Sequence, residues 1–409
     1  MSQTATPMRQ ARAVTSDHPA EDLDFQSSPE PSVGVELELQ ILDRDTGDLA
    51  PGAVRLLQTC AEEKVEGVTA EFHQSTIEIK TGVCRNTNEV RDTLVPSLRR
   101  VRNLAASLGY DLAFGGTHPF SRAAASTVFP AERYQRIQAE MPWLAQQSVL
   151  FGLHVHVGMP DGDLAIGAIN MLVQYLPHLL ALSANSAFWQ GVDTGLASAR
   201  AMLFRLTPHA DLPHYFSNWQ GFRNYVEVMR ACQAIESTKD IYWDIRPRPQ
   251  TGTIEFRVCD MPATLGQVFA LAALVRSLVI ATQRLLEDKP RLQRGDLRRY
   301  WIAVENKWLA SRYGLKAQCI RTPGGRRQPL ARDLAQLFER LRPIARETGD
   351  DAFLTALEPL DSFESGADRQ RRLYREAGNW QTVIDDMKGR VAQELETAPK
   401  GSTGVTGHV

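Results

Sequence analysis

Four short segments of this chain hold residues that could do chemistry: Glu36 and Glu38 in VGVELELQI, Glu78 in EFHQSTIEIKTG, His154 and His156 in GLHVHVGM, and Glu255 and Arg257 in GTIEFRVCD. In each, the charged or imidazole residues alternate with Val, Leu, Ile or Phe. Strict alternation is the pattern of a half-buried strand, in which residues i and i+2 share a face. Each segment therefore turns an apolar face one way and carboxylate, imidazole or guanidinium the other. A merely solvated face would mix Lys, Thr, Ser and Gln with the acids. If the four strands lie together, one surface carries four carboxylates, and these need cations.

Oxygen ligands with one or two imidazoles suit Mg²⁺ or Mn²⁺ better than zinc, and several carboxylates make room for two or more ions. Such ions complete their coordination with phosphate oxygens, and Arg257 is placed to balance charge on a transferred phosphoryl group. That chemistry uses a nucleotide such as ATP. The chain has no G-x-x-x-x-G-K-[ST] and no dinucleotide fingerprint, so neither a P-loop nor a Rossmann turn binds it. The four segments also pair no Ser, Cys or Lys with a base as acyl-enzyme chemistry requires. On a face so crowded with acids, removing the carboxylate of Glu36 or Glu255 is expected to relieve repulsion in the metal-free protein.

A basic and aromatic stretch adds to this set: SNWQGF from Ser217 to Phe222, then TKDIYWDIRPRP from Thr238 to Pro249. Lys239, Arg246 and Arg248 could bind phosphate or a substrate carboxylate, with Trp219 beside them. The competing reading leaves the basic residues in solvent and puts Trp219, Tyr242 and Trp243 in the core. The prolines suggest a rigid loop feeding the fourth strand.

The elements that must position these residues alternate irregularly. Strand patterns fall at 33–42, 68–80, 110–115, 149–158 and 251–259. Helical patterns follow Asn86 or Thr87 up to Gly109, with Pro96 inside, then cover 163–190, 264–288 and much of 295–396. Long helices between short alternating strands give an α+β fold with a sheet covered by helices on one face. The apolar run from Val268 contains Arg276 and reads as a buried helix. Residues 1–30 are too poor in apolar side chains to order and form an expected disordered arm, 31–396 a single catalytic domain, and 397–409 a disordered tail.

Bulk composition excludes some partners. Forty-six basic and 48 acidic side chains give a net charge of −2, so neither nucleic acid nor a membrane surface is indicated. Five scattered cysteines without C-x-x-C spacing fit reduced thiols and a cytoplasmic setting, and the first 25 residues contain no apolar core of a secretory signal.

Taken in order, these segments resemble the YbdK-like carboxylate–amine ligases of the glutamate–cysteine ligase type 2 family. The resemblance runs from about Val33 to Arg312–Gly314 and rests on VGVELELQ, EFHQSTIEIKT, GGTHPF, FGLHVHVGM, SNWQ, KDIYWDIRPRPQTGTIEFRVCD and SRYGL. It implies a glutamine synthetase-like fold: a curved antiparallel sheet of about six strands, helices on its convex face, metal ions and ATP on the concave side. It implies metal ligation by Glu36, Glu38, Glu78, His154 and Glu255. Beside it, the residues' own chemistry gives Arg257 and Arg246 to the transferring phosphoryl group, and Glu71, His156, Lys239, Arg248 and Trp219 to ATP or substrate. Where relatives often have aspartate, this chain has Glu71, one methylene longer. The implied reaction is ATP-dependent: a glutamate-like carboxylate is phosphorylated and a small-molecule amine attacks the acyl phosphate. Weak glutamate–cysteine ligase activity belongs to this picture, but nothing in the residues selects cysteine. The resemblance also implies a homo-oligomer. The alternatives are a guanidino phosphotransferase and a non-catalytic ligand-binding protein of the same fold.

Overall fold

The alternating segments form strands of one sheet. In the computed structural model, which describes residues 23–294, 296–358 and 360–397, they are Val33–Asp43 (β1), Val68–Ala70 (β2), Thr76–Lys80 (β3), Tyr110–Ala113 (β4), Gly152–Gly158 (β5), Ile245–Arg248 (β6) and Thr253–Asp260 (β7). The order is β6-β7-β5-β1-β3-β2, with β4 pairing the far end of β1, and every pairing is antiparallel. Seven strands stand where about six were expected. The 68–80 run breaks in two around Glu71–Ser75, and Ile245–Arg248, read as a loop because of its prolines, is an edge strand paired only to β7. Pro247 fits there because an edge strand has no second neighbour to receive its missing N–H.

One face of the sheet is apolar. Leu37, Leu39, Ile77, Ile79, Leu153 and Phe256 are all fully buried, each such side chain contributing about 1.5–3 kcal/mol of transfer free energy. They pack against the Thr87–Ser107 and Leu265–Asp288 helices, and the same core cluster extends to Leu395. Asn86 caps the first of these helices, accepting from the Glu89 N–H at 3.1 Å, and Thr264 caps the second, accepting from Gln267 at 3.1 Å. By length and composition Gly162–Ser183 and Leu265–Asp288 could cross a membrane, yet 72% and 83% of their apolar windows are buried in the protein, as core helices require.

The expected 163–190 helix stops at Ser183. Beyond it the chain turns to satisfy buried Asp260, which accepts from the Asn185 N–H at 2.9 Å and the Ser186 hydroxyl at 2.7 Å. The C-terminal third is helical apart from the Gln318–Ile320 and Arg327–Pro329 hairpin.

Of the arm expected over 1–30, residues 1–22 lie outside the described residues, as do 398–409 of the expected tail. Residues 23–30 depart from that expectation. Leu23 is buried in a satellite cluster with Phe222 and Trp243, and Gln26 and Ser28 donate backbone hydrogen bonds to Pro249 and Met159 at 2.9 Å. Two apolar side chains suffice because a ready-made aromatic cluster receives Leu23, and Phe25 packs edge-on against Trp219 at its margin.

Candidate active site

Register decides what the polar face can do. Glu36 lies opposite His154 on one side and Lys80 on the other, Glu38 lies opposite Glu78, and Glu255 lies between His156 and Arg246. A β-bulge between Phe256 and Cys259 shifts the β7 pairing where Arg257 turns toward the same face. These residues floor a cavity of about 620 Å³, which Glu71, Lys239 and Arg248 also line. Eleven of the twelve residues singled out in the sequence thus meet in one place. Trp219 does not. Its indole donates to the Leu23 carbonyl at 3.1 Å and packs on Phe25 and Phe222, because it opens the Trp219–Ala231 helix on the satellite cluster.

The floor is acidic at one end and paired at the other. Arg246 donates to both Glu255 oxygens, from Nε at 2.8 Å and Nη2 at 3.1 Å, and Arg257 also pairs with Glu255. Burial alone would raise the Glu255 carboxyl, but Arg246 and then Arg257 hold it well below the usual range. Arg246, expected beside Arg257 on a phosphoryl group, is instead directed at Glu255 and the Ile241 carbonyl. Arg248 stands 3.6 Å from Glu255. The Nε atoms of Arg248 and Arg257 are buried without a hydrogen-bond partner.

Glu38, Glu71 and Glu78 offer oxygens within 4.8 Å of one another. Burial, reinforced by Glu38, pushes Glu71 up to about 7. Burial, then Glu71 and Glu36, puts Glu78 well above the usual carboxylate range. Lys80, 2.6 Å from Glu78, offsets only part of this. Burial also raises Glu38 against the opposing charges of Arg200 and Arg257. Glu36 is different: burial would raise it, but the His154 and His156 rings beside it, at 3.1 and 3.5 Å, bring it below the ordinary value.

Divalent cations fit this donor set. Two further groups, Glu36 with Glu78 and His154, and Glu36 with His156 and Glu255, also bring ligand atoms within 4.8 Å. Burial, then Arg257, lowers His154 to about 4, so its ring is neutral at pH 7. Its Nδ1 lies 3.1 Å from Glu36, which assigns the proton there, while the Nε2 atoms of His154 and His156 are buried without hydrogen-bond partners. Lone pairs and crowded carboxylates with too few counter-charges are what hard cations satisfy.

Three parts of the wall were not anticipated. Arg200, buried at the start of the Ala199–Phe204 helix, lies directly over Gly152, where any Cβ would collide with its guanidinium. Arg133 bridges the Glu132–Glu140 helix to Asp240 at 2.8 Å and to the Tyr242 hydroxyl at 3.1 Å. The same helix, the following Pro142–Gln147 helix and Met141 between them supply an apolar wall of Tyr134, Ile137, Met141 and Leu144. Behind the wall, buried Lys307 reaches Asp211 at 2.6 Å and Asp244 at 2.5 Å.

Solved glutamate–cysteine ligases share this fold. The fold superposes on a Francisella tularensis glutamate–cysteine ligase crystallised with AMP, with a TM-score of 0.64 over 92% of this chain and 90% of that one at 14% identity. It also matches a bifunctional glutathione synthetase from Pasteurella multocida, with a TM-score of 0.63 over 90% of this chain and 53% of that one at 15% identity. Sequence then fixes the family. Residues 32–394 match the model of glutamate–cysteine ligase family 2, and the chain belongs to that family. It is 40% identical over 90% of its length and 99% of the relative's to a Gloeobacter violaceus protein, and 41% identical over 86% and 93% to one from Rubrobacter xylanophilus. Those relatives are named "Putative glutamate--cysteine ligase 2" and "2-1".

Proposed function

We propose that this protein is an ATP-dependent carboxylate–amine ligase that makes an amide through an acyl phosphate. One observation carries the reading: a cluster of three carboxylates with too few counter-charges lines the same cavity as the guanidinium groups of Arg257, Arg248 and Arg200. Family membership supports it, and the names of the relatives make glutamate the first carboxylate to test.

Glu36, Glu38, Glu71, Glu78, His154, His156 and Glu255 would hold Mg²⁺ or Mn²⁺. When bound, the ions supply charge neutralisation along a triphosphate and at the transferring group. Arg257, paired with Glu255 through Nη1, keeps an Nε donor without a hydrogen bond for anionic oxygens, Arg248 adds positive charge 3.6 Å from Glu255, and Arg246 keeps Glu255 ionised and in place. Lys239 and Arg133 add cationic contacts at the rim, and the apolar wall keeps bulk water from a reactive acyl phosphate. No protein nucleophile takes part. The acceptor carboxylate attacks the γ-phosphorus as ADP leaves, then the amine attacks the acyl carbon and releases phosphate. The free cysteines, four of them buried, suit a reducing cytoplasmic setting.

The test replaces the unknown amine with hydroxylamine. Enzyme, ATP, Mg²⁺, a panel of amino-acid carboxylates led by glutamate, and hydroxylamine should give a hydroxamate with equal ADP and phosphate. No hydroxamate from any carboxylate, with ADP but no free phosphate from a guanidino compound, would replace the ligase with a phosphotransferase. No nucleotide turnover under any condition would leave a binding protein.

A further inference from the structure

Arg257 sits where its strand leaves the ladder. Residues 253–256 of β7 pair with residues 158–155 of β5, and pairing resumes only at Cys259 opposite Leu153. The peptide groups of a residue in such a bulge must find partners of their own. The Arg257 N–H donates to the Asp244 main-chain carbonyl at 2.7 Å. Its own carbonyl accepts from Nη1 and Nη2 of Arg200, each at 3.3 Å. Asp244 and Arg200 therefore set the direction in which the Arg257 side chain leaves the backbone.

Both are held from one helix. Lys307 and Ser311 stand one turn apart on the buried face of Leu297–Tyr313. The Lys307 ammonium lies 2.5 Å from the Asp244 carboxylate and 2.6 Å from that of Asp211, whose main-chain carbonyl accepts from the Asp244 N–H at 2.9 Å. The Ser311 carbonyl accepts from the N–H groups of Ala197 and Ser198, at 2.8 and 3.0 Å, and Ser198 caps the helix that carries Arg200. One position on the helix thus fixes the residue that holds the Arg257 N–H, and the next turn fixes the one that holds its carbonyl. Lys307, Asp211, Asp244 and Ser311 are not among the residues that line the cavity.

Packing does not account for the charges. Lys307 is 3% exposed and Asp244 5%. A buried ion pair contributes little net stability compared with apolar side chains of the same volume, because desolvation offsets its attraction. What the pair does supply is a fixed distance, and the backbone it fixes is the one from which Arg257 projects.

We infer that Lys307 is a positioning residue for phosphoryl transfer: through Asp244 it holds the Arg257 backbone at the bulge, so that the guanidinium is in place before the reacting groups arrive. The inference rests on the ligase reading, which gives Arg257 its phosphoryl contact. It is tested by a double-mutant cycle on kcat for hydroxamate formation, each protein being assayed well below its melting temperature. Lys307→Met should lower kcat by on the order of 100-fold in the wild-type background, the effect of a displacement of about 1 Å. In an Arg257→Lys background the same change should cost less than about threefold, because the guanidinium it positions is no longer there. Asp244→Asn keeps the main-chain carbonyl and the side-chain volume, so it should repeat both results and serves where Lys307→Met does not fold. Equal losses in the two backgrounds, as a purely structural role predicts, overturn the inference, and so does a Lys307→Met protein with wild-type kcat. Both of those outcomes leave the ligase reading standing. A wild type that makes no hydroxamate overturns that reading, and the inference with it.

Discussion

Glu255 and Arg246 face each other across the β6–β7 pairing, and the guanidinium holds both carboxylate oxygens, at 2.8 and 3.1 Å. That contact reverses one expectation from sequence. Glu255 is not a surplus charge on a crowded face but the counter-ion of Arg246, itself only 6% exposed. Glu36 likewise has a counter-ion, Lys80 at 3.4 Å. The surplus lies at Glu38, Glu71 and Glu78.

Glu255→Gln should therefore destabilise the metal-free protein by about 3–5 kcal/mol, the usual result of stranding a buried partner charge. Glu78→Gln should stabilise it by about 1 kcal/mol, and both should abolish ADP formation. Urea unfolding of the two variants measures the difference. Equal destabilisation by both would mean that the three glutamates are not in conflict.

The Glu71 carboxyl gives a pH dependence with a definite sign. Raised from 4.5 to about 7, it stays protonated in the fold at pH values where the unfolded chain has lost that proton. Its contribution is present in full below the unfolded value and is lost as pH rises through about 7. Relative to Glu71→Gln, the metal-free wild type should lose on the order of 2 kcal/mol between pH 4.5 and pH 7.5. Parallel stability curves for the two proteins would contradict this. Saturating Mg²⁺ at neutral pH should remove the difference and release protons into an unbuffered solution.

Trp219 separates packing from catalysis. Trp219→Ala removes contacts with Phe25 and Phe222 but nothing that lines the cavity. It should cost about 2 kcal/mol of stability and leave the KM for ATP unchanged at temperatures well below the melt. A tenfold rise in that KM would return Trp219 to the site.

Activity should also survive thiol reagents. Cys259 is buried beside the floor, and burial pushes its thiol up to about 12, which leaves almost no thiolate to react. Cys232 is the exposed cysteine, and mass spectrometry should find the adduct there. Loss of ADP formation in Cys259→Ser would show that the sulfur has a role beyond packing.

Much of this site was legible because strand alternation leaves little choice. Once Leu37 and Leu39 must face the core, Glu36 and Glu38 must face away from it. Residues delivered by loops and short helices have no such period. Arg200, Arg133 and Tyr134 reach the cavity through tertiary contacts between segments far apart in sequence, and alternation within a segment cannot report those. Proline misled in one place and helped in another. It disguised Ile245–Arg248 as a loop, yet Pro96 inside Thr87–Ser107 did not displace a helix fixed by its Asn86 cap and its buried row. Glu71 lies seven residues before Glu78 in the sequence, and its place beside Glu38 and Glu78 follows from the break between β2 and β3.

The proline that hid β6 has a further consequence, for solubility. The strand that brings Arg246 and Arg248 to the floor is also where the sheet ends. An open edge is a template on which another extended chain can add, and the crowded polar floor beside it would be distorted by any such addition. Pro247 offers no N–H to an incoming strand, the guanidinium of Arg248 is hard to bury against one, and Pro249 ends the strand immediately afterwards. The arginine-bearing edge is thus protected against edge-to-edge aggregation by the same residues that made it look unstructured.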